Sequence, residues 1–294
     1  MKPRCRLCDG EARHLFRVHD LNRGLSEEQF DYFGCSNCGS ICLAPIPADL
    51  SRYYPAEYYR LPANATELAL LAEEERYKLE IVAGHRPGGR LLDIGPSVGA
   101  FAHLAKKAGY QVSTIEMDSA CCAFLRRVVG VRAVQSDDPA GALEAEGDYD
   151  VITLWHVVEH LADPWSVIAA AAAKLAPGGL LVIAAPNPES LQFRLFGRYW
   201  MHLDAPRHLQ LIPVAEVIRR AASHGLATAR LTTTDRGALL CNSAGWQAST
   251  AHWLTDHSVS VLRWKLGSAA ALLAKPLDRV GRLGSAYTVA LTSG

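Results

Sequence analysis

From residue 90 onward, short apolar runs alternate with longer stretches in which apolar residues return every three or four positions. The first spacing predicts buried strands and the second amphipathic helices. Strands are expected at 90–94, 111–115, 131–134, 150–154, 180–185, 227–233 and 287–291. Helices are expected at 100–108, 120–129, 165–175 and 214–224, and Pro177-Gly178-Gly179 reads as a turn. Alternation of this kind builds βαβ units. The fold class expected is therefore α/β, a Rossmann-like, doubly wound, mostly parallel sheet of seven strands.

The pattern changes ahead of residue 90. Residues 66–83 carry Leu68, Leu71, Tyr77, Leu79 and Ile81 at helical spacing among Glu and Ala. Residues 45–62 are rich in Pro and Tyr and read as a linker that packs on something, while 1–45 show little periodicity and hold paired cysteines. The organisation expected is a small zinc-ribbon-like module at 1–45, a linker and N-terminal helix at 46–89, and an α/β domain at 90–294 with an insertion at about 240–283.

Composition narrows the classes. Of 294 residues, 49% are hydrophobic and the formal net charge is zero, so a large core is available and no global pull toward nucleic acid or anionic lipid follows. Residues 1–60 hold eight basic and eight acidic side chains, which is not the footprint of a phosphate reader, and nucleic acid is not an expected partner. The N-terminus carries no apolar leader, and the uncharged stretch 237–255, bar Arg236 before it, is too polar for a span. A cytoplasmic protein is the expectation.

Cys5-x-x-Cys8 and Cys35-x-x-Cys38 are two knuckles of the kind that surround one ion with four thiolates. Cys5, Cys8, Cys35 and Cys38 are expected to hold a structural Zn2+, closed to chemistry because no coordination position is left. Cys42 lies near enough to substitute for one of them, and unmetallated core thiols are the plain alternative.

Asp93-x-Gly95-x-Ser97-x-Gly99 follows the first strand and opens a helix, where glycines permit a tight turn and close approach of backbone to a ligand. Glu116 ends the next strand and is placed to accept from ribose hydroxyls, or else to stand as a solvated carboxylate. A nicotinamide fingerprint would need a different glycine spacing. With the segments 91–99, 149–164 and 177–183, the chain resembles the class I S-adenosylmethionine-dependent methyltransferases, in the methyltransferase-23-like subgroup, from about 90 to 211 and more loosely to the end. One position departs: Ser97 stands where family members usually carry glycine.

That resemblance implies an enzyme using S-adenosyl-L-methionine. It implies that Asp93, Gly95, Ser97 and Gly99 line the methionine end, that Glu116 holds the ribose and that Met117 packs on the adenine. Asp137 or Asp138 would accept from the adenine amino group, and Trp155 and His156 would border the cofactor. A small-molecule acceptor is expected: a sugar, a natural-product scaffold or a quinone-like phenol.

An acceptor hydroxyl or amine can need a base near neutral pH, and His156, His160, His202 and His208 are the available imidazoles. His208 closes the run 200–209, dense in Asp, Arg and His, on the carboxyl side of the sheet. The subgroup often carries a similar Asp-x-Pro-Arg-His run. His208 is expected to act as base or to orient the acceptor, with His156 and His160 as further catalytic residues. The plainer readings are a packing role for His160 and an Asp204–Arg207 salt bridge that only pins the loop.

Residues 259–275 set Leu262, Leu266, Ala269, Ala270 and Leu273 on one helical stripe beside Arg263, Lys265 and Lys275. Three readings stay open for 259–283: core or lid packing, peripheral contact with a membrane surface, and a homodimer interface. Two other functions compete with small-molecule methylation: an RNA or protein methyltransferase that docks through the ribbon, and a non-catalytic adaptor.

Overall fold

The computed structural model describes residues 3–55, 58–254 and 261–294, with side chains from 265 onward in the last segment. Three short strands come first, β1 (Ala12–Val18), β2 (Phe30–Cys35) and β3 (Ile41–Leu43). Two helices follow, α1 (Ala65–Glu74) and α2 (Arg76–Ala83). The helical pattern at 66–83 is thus broken at Glu75. Asn64 caps α1, its side chain accepting from the Thr66 and Glu67 amides.

The alternating region then unfolds as expected. β4 (Arg90–Ile94), α3 (Ala100–Lys107), β5 (Gln111–Glu116), α4 (Ser119–Phe124) and β6 (Arg132–Gln135) make the first half. Between α4 and β6 the helix widens into a π-type turn, Leu125–Val129. The second half is α5 (Pro139–Glu144), β7 (Tyr149–Trp155), α6 (Pro164–Ala173), β8 (Leu175–Pro186), α7 (Leu191–Phe196), β9 (Gln210–Leu211), α8 (Val214–Ala222) and β10 (Leu226–Thr232). A helical pair, α9 (Arg236–Leu254) and α10 (Val261–Ala274), precedes the closing strand β11 (Ala286–Ser293). Asp138 and Asp163 cap α5 and α6, each followed by proline in the first turn, the position proline tolerates best. The turn read at Pro177-Gly178-Gly179 lies inside β8. Tyr149 pairs with Leu175 but Val151 with Leu180, so the extra residues bulge out of the ladder, with Gly178 at φ 66°.

The main sheet has seven strands in the order β10-β11-β8-β7-β4-β5-β6. Neighbours from β8 through β6 run parallel, and β11 is antiparallel to both β8 and β10. This is the expected mostly parallel Rossmann-like sheet. The chain leaves β4 toward β5 and β6, then crosses to β7 on the other flank. A crevice opens at such a switch point, past the carboxyl ends of β4 and β7.

A second sheet has the order β1-β2-β3-β9, all antiparallel, with Ile41 opposite Leu211 and Cys42 opposite Gln210. Its fourth strand comes from the segment just after His208. Val18, Phe30, Tyr32, Ile41, Leu43 and Tyr53 from the N-terminal side pack in one core with Trp200, Leu203, Leu209 and Leu211. Each such fully buried side chain contributes about 1.5–3 kcal/mol relative to exposure. The cysteine module is therefore built onto the loop that carries His208.

The apolar stripe on α10 does not pack as a core face. Leu266, Leu272 and Leu273 are exposed, while Gly267 and Ala274 are buried. A Cβ at Gly267 would stand 2.6 Å from the Gln247 backbone, so α9 and α10 approach through small residues and leave the leucines outside. Residues 259 and 260 of that expectation, and the side chains of Leu262 and Arg263, lie outside the described residues. No described helix is long and apolar enough to cross a membrane.

Candidate active site

After Ile94 the chain turns sharply, with Gly95 at φ 68°, Ser97 at φ 55° and Gly99 at φ 76°. Space as well as backbone angle selects the glycines. A Cβ at Gly95 would lie 2.7 Å from Val157 Cγ2, and one at Gly99 2.5 Å from Leu125 Cδ2. Ser97 takes the left-handed angle with a side chain present, which is uncommon outside Gly, Asn and Asp.

Glu116 faces this loop directly. The Ser97 amide donates to its Oε2 at 2.9 Å and the Asp118 amide to its Oε1 at 2.9 Å. It is 3% exposed, so it is not the solvated strand-end carboxylate of the plainer reading. Burial pushes its pKa up and the backbone donors oppose that push. Below it Asp93 is buried and accepts from Thr153 Oγ1 at 2.7 Å. Met117 is 56% exposed beside Glu116, an apolar side chain with a face to cover. Of the acidic pair on the next strand's exit, Asp138 is committed to the cap of α5, leaving the exposed Asp137 as the available carboxylate. Trp155 packs edge-on against Phe101 and Tyr77, with its indole N–H buried and lacking a hydrogen-bond partner among the described residues. Tight glycines, a buried carboxylate across the turn, an orphaned indole N–H and an uncovered methionine fit a nucleoside-bearing cation such as S-adenosylmethionine.

Past the end of β7 lies a cleft of about 580 Å³, lined by His156, Glu159, His160, Pro186, Met201, His202, Asp204, His208 and His252, with Asn22 and Arg23 from the N-terminal module. All four imidazoles singled out in the sequence converge here. His156 sits at φ 56° and its Nδ1 is 3.4 Å from Glu159 Oε1. Burial alone would lower its pKa, but the Cys241 thiol and Glu159 carry it up to about 10, so it stands as a cation rather than a base. Glu159 is correspondingly held down to about 2, against the desolvation that would raise it. Burial pushes His160 and His202 each down to about 4, which leaves both neutral. His160 Nδ1 lies 3.0 Å from the Arg207 carbonyl and 3.1 Å from Tyr54 Oη. His208 Nδ1 donates to the His202 carbonyl at 2.8 Å, and its Nε2 is 4.0 Å from Asp204 Oδ2. The rings of His160 and His208 meet edge to face at 4.7 Å.

The loop beneath His208 is pinned from two sides. Arg207 is fully buried and grips two carboxylates at once, Asp204 at 2.8 and 2.9 Å and Asp20 at 2.6 and 3.0 Å. Burial opposes the guanidinium charge and the two carboxylates more than offset it. Asn22 Nδ2 donates to Asp204 Oδ1 at 2.6 Å, and Tyr32 Oη donates to the His208 carbonyl at 2.8 Å. The Asp204–Arg207 bridge of the plainer reading is present. The sequence does not point to Asp20, Asn22, Tyr32 or Tyr54, because each acts across a separation in sequence that no local pattern reveals.

The four knuckle cysteines also converge. One sulfur from each of Cys5, Cys8, Cys35 and Cys38 lies within 4.8 Å of the others, with Cys5–Cys38 at 3.8 Å and Cys8–Cys35 at 3.4 Å. A tetrahedron with Zn–S of about 2.3 Å has edges of about 3.8 Å, so the donor set fits zinc. Cys42 is buried nearby, outside that group of four.

A family model described as a methyltransferase domain matches residues 63–231. The chain belongs to this methyltransferase family. Its curated relatives include ubiquinone biosynthesis O-methyltransferases. That of Bordetella avium (strain 197N) is 30% identical over 138 residues, 44% of this chain and 56% of the relative. That of Thiobacillus denitrificans (strain ATCC 25259 / T1) is 30% identical over 158 residues, 49% of this chain and 67% of the relative. The chain thus spans little more than half the length of the Bordetella relative. Among solved structures, a SAM dependent methyltransferase from Archaeoglobus fulgidus superposes with a TM-score of 0.52 at 20% identity, covering 77% of this chain and 94% of that one, which shows the methyltransferase fold. The matched region contains the glycine turn, Glu116, His156, His160, His202 and His208, and excludes the cysteine module and His252.

Proposed function

We propose that this chain transfers the methyl group of S-adenosylmethionine to a hydroxyl of a small-molecule acceptor held in the histidine-lined cleft. The observation that carries the reading is the placement of His208. Its Nδ1–H is tied to the His202 carbonyl, so the basic Nε2 is the atom left for an acceptor proton. Glu116 would hold the ribose, with the turn 95–99 around the methionine end, Met117 against the adenine and Asp137 at its amino group. The donor is already activated, so positioning and exclusion of water supply much of the rate. His156, kept cationic by Glu159, would orient an acceptor oxygen, and His160 would support His208. The similarity to ubiquinone biosynthesis O-methyltransferases favours a phenolic acceptor within the class. Cys5, Cys8, Cys35 and Cys38 would hold a structural zinc, and the shared sheet with β9 supports a role for the module in shaping the acceptor cleft over one in docking RNA.

The test is methyl transfer from labelled S-adenosylmethionine to a panel of monophenols, catechols, sugars and amines. Label is expected in phenolic hydroxyls, with turnover cut at least about a hundredfold in His208→Ala, the low end of what a positioned base contributes. Label in tRNA or protein alone would overturn the acceptor class.

A further inference from the structure

We propose that Glu159, His160 and His208 form a binding site for a divalent transition-metal ion inside the acceptor cleft, separate from the four-cysteine cluster. One ligating atom from each of the three lies within 4.8 Å of the other two. The hydrogen-bond pattern fixes what each offers. A carbonyl oxygen can only accept, so the Nδ1 atom of His160 carries the hydrogen it points at the Arg207 carbonyl, at 3.0 Å. The same holds for His208 Nδ1 and the His202 carbonyl, at 2.8 Å. Each ring therefore presents a lone pair at Nε2. Metal-bound histidines are oriented in this way, by giving their other N–H to a carbonyl or carboxylate.

Glu159 supplies the independent observation. It is 1% exposed, and neither carboxylate oxygen has a hydrogen-bond partner among the described residues. His156 Nδ1 stands 3.4 Å from its Oε1, an ion pair without a hydrogen bond. A buried carboxylate left with both oxygens unbonded is costly, and native structures seldom keep one. A cation shared with the two imidazoles would satisfy it. Two imidazoles and one carboxylate on one side of an ion suit manganese, iron, cobalt or zinc, and leave positions open toward the cleft for water or an acceptor oxygen. With an ion bound, His208 Nε2 would serve as a ligand in place of the base proposed above, and a hydroxyl on the ion would release its proton more readily, to water in the cleft. The cysteine cluster, all soft thiolate, does not select manganese. That difference separates the two sites experimentally.

The experiment is a Mn2+ titration of the whole chain carrying a single equivalent of zinc, followed by electron paramagnetic resonance. One Mn2+ per chain is expected, with electron-spin-echo modulation from imidazole nitrogen. Glu159→Gln and His208→Gln are each expected to weaken Mn2+ binding by at least about tenfold, the lower end for disturbing a metal's surroundings. Glu189→Gln, an exposed carboxylate outside the cleft, leaves it unchanged. Wild-type protein that shows no nitrogen modulation overturns the site, and that reading needs no variant to fold. Retained affinity in both Glu159→Gln and His208→Gln overturns it as well. S-adenosylhomocysteine titrated into the same samples reports the nucleoside crevice separately, so failure of the metal site and failure of the methyltransferase reading give different results.

Discussion

Arg207 and Asp20 form a sealed ion pair across 187 residues of sequence, with a guanidinium nitrogen 2.6 Å from a carboxylate oxygen and neither side chain exposed. The pair joins the cysteine module to the loop that presents His208. Removing Asp20 leaves Arg207 paired with Asp204 alone and strands buried guanidinium N–H groups without an acceptor, which costs about 1–3 kcal/mol. Asp20→Ala is therefore expected to lower unfolding stability by that amount in denaturant melts. It should also reduce acceptor turnover more than cofactor affinity, since Arg207 lies under the acceptor cleft. Equal losses in both would show that the pair supports the whole fold and not the loop.

The four cysteines give a prediction that spectroscopy reads directly. Cobalt substituted for zinc in a tetrathiolate site gives intense sulfur-to-metal charge transfer, and Cys35→Ser is expected to diminish it and to lower stability. Because β3 pairs with β9, the same change should disturb the His208 loop. An undiminished thiolate band in Cys35→Ser would remove the assignment of Cys35 as a ligand.

Glu116 is the residue proposed to hold the ribose. Its carboxylate already accepts from the Ser97 and Asp118 amides, so it fixes the turn as well as standing across from it. Hydrogen bonds to a charged group contribute about 1.5–3 kcal/mol each. Glu116→Ala is expected to weaken S-adenosylhomocysteine binding by about tenfold or more in calorimetric titration, and Glu116→Gln by less. Unchanged affinity in Glu116→Ala would place the ribose elsewhere.

Local pattern carried most of the sheet and little of the cleft. Strand runs such as 90–94 are short, apolar and bounded by turn residues, so they are readable without tertiary contacts, and β4 begins and ends where expected. The break at Glu75 is different, because the apolar spacing continues across it. The four-stranded second sheet was invisible for a stronger reason: Gln210–Leu211 is two residues long and pairs with a strand some 170 positions earlier. His202 and His208 were legible as residue types in a dense loop, and His156 and His160 on the segment after the strand at 150–154. Their tautomers, and the isolation of the Glu159 carboxylate, depend on carbonyls and neighbours that only folding brings together. The helix stripe on α10 left its role open because periodicity shows which residues share a face, not which face is covered; Gly267 and Ala274 decide that through close approach, and the exposed Leu266 and Leu273 set aside core packing for that face.

Asp93 gives a prediction in pH. It is 2% exposed, its Oδ1 accepts from Thr153 Oγ1, and burial pushes its pKa up to about 7. An unfolded chain holds an aspartate near its ordinary value of about 3.9. Between these two values the folded protein binds the proton and the unfolded chain does not. Stability from this group is therefore complete below about pH 4 and is lost as pH rises toward 7, the sign opposite to that of a salt-bridged carboxylate. In Asp93→Asn the amide oxygen still accepts from Thr153 while the titration is gone. Denaturant unfolding of both proteins at pH 5, 6, 7 and 8 isolates the term, because the buried histidines contribute equally to each and cancel in the difference. The variant is expected to gain on the parent as pH rises and to hold a constant lead above about pH 7. Parallel stability profiles across that range would mean that Asp93 is ionised in the folded protein throughout.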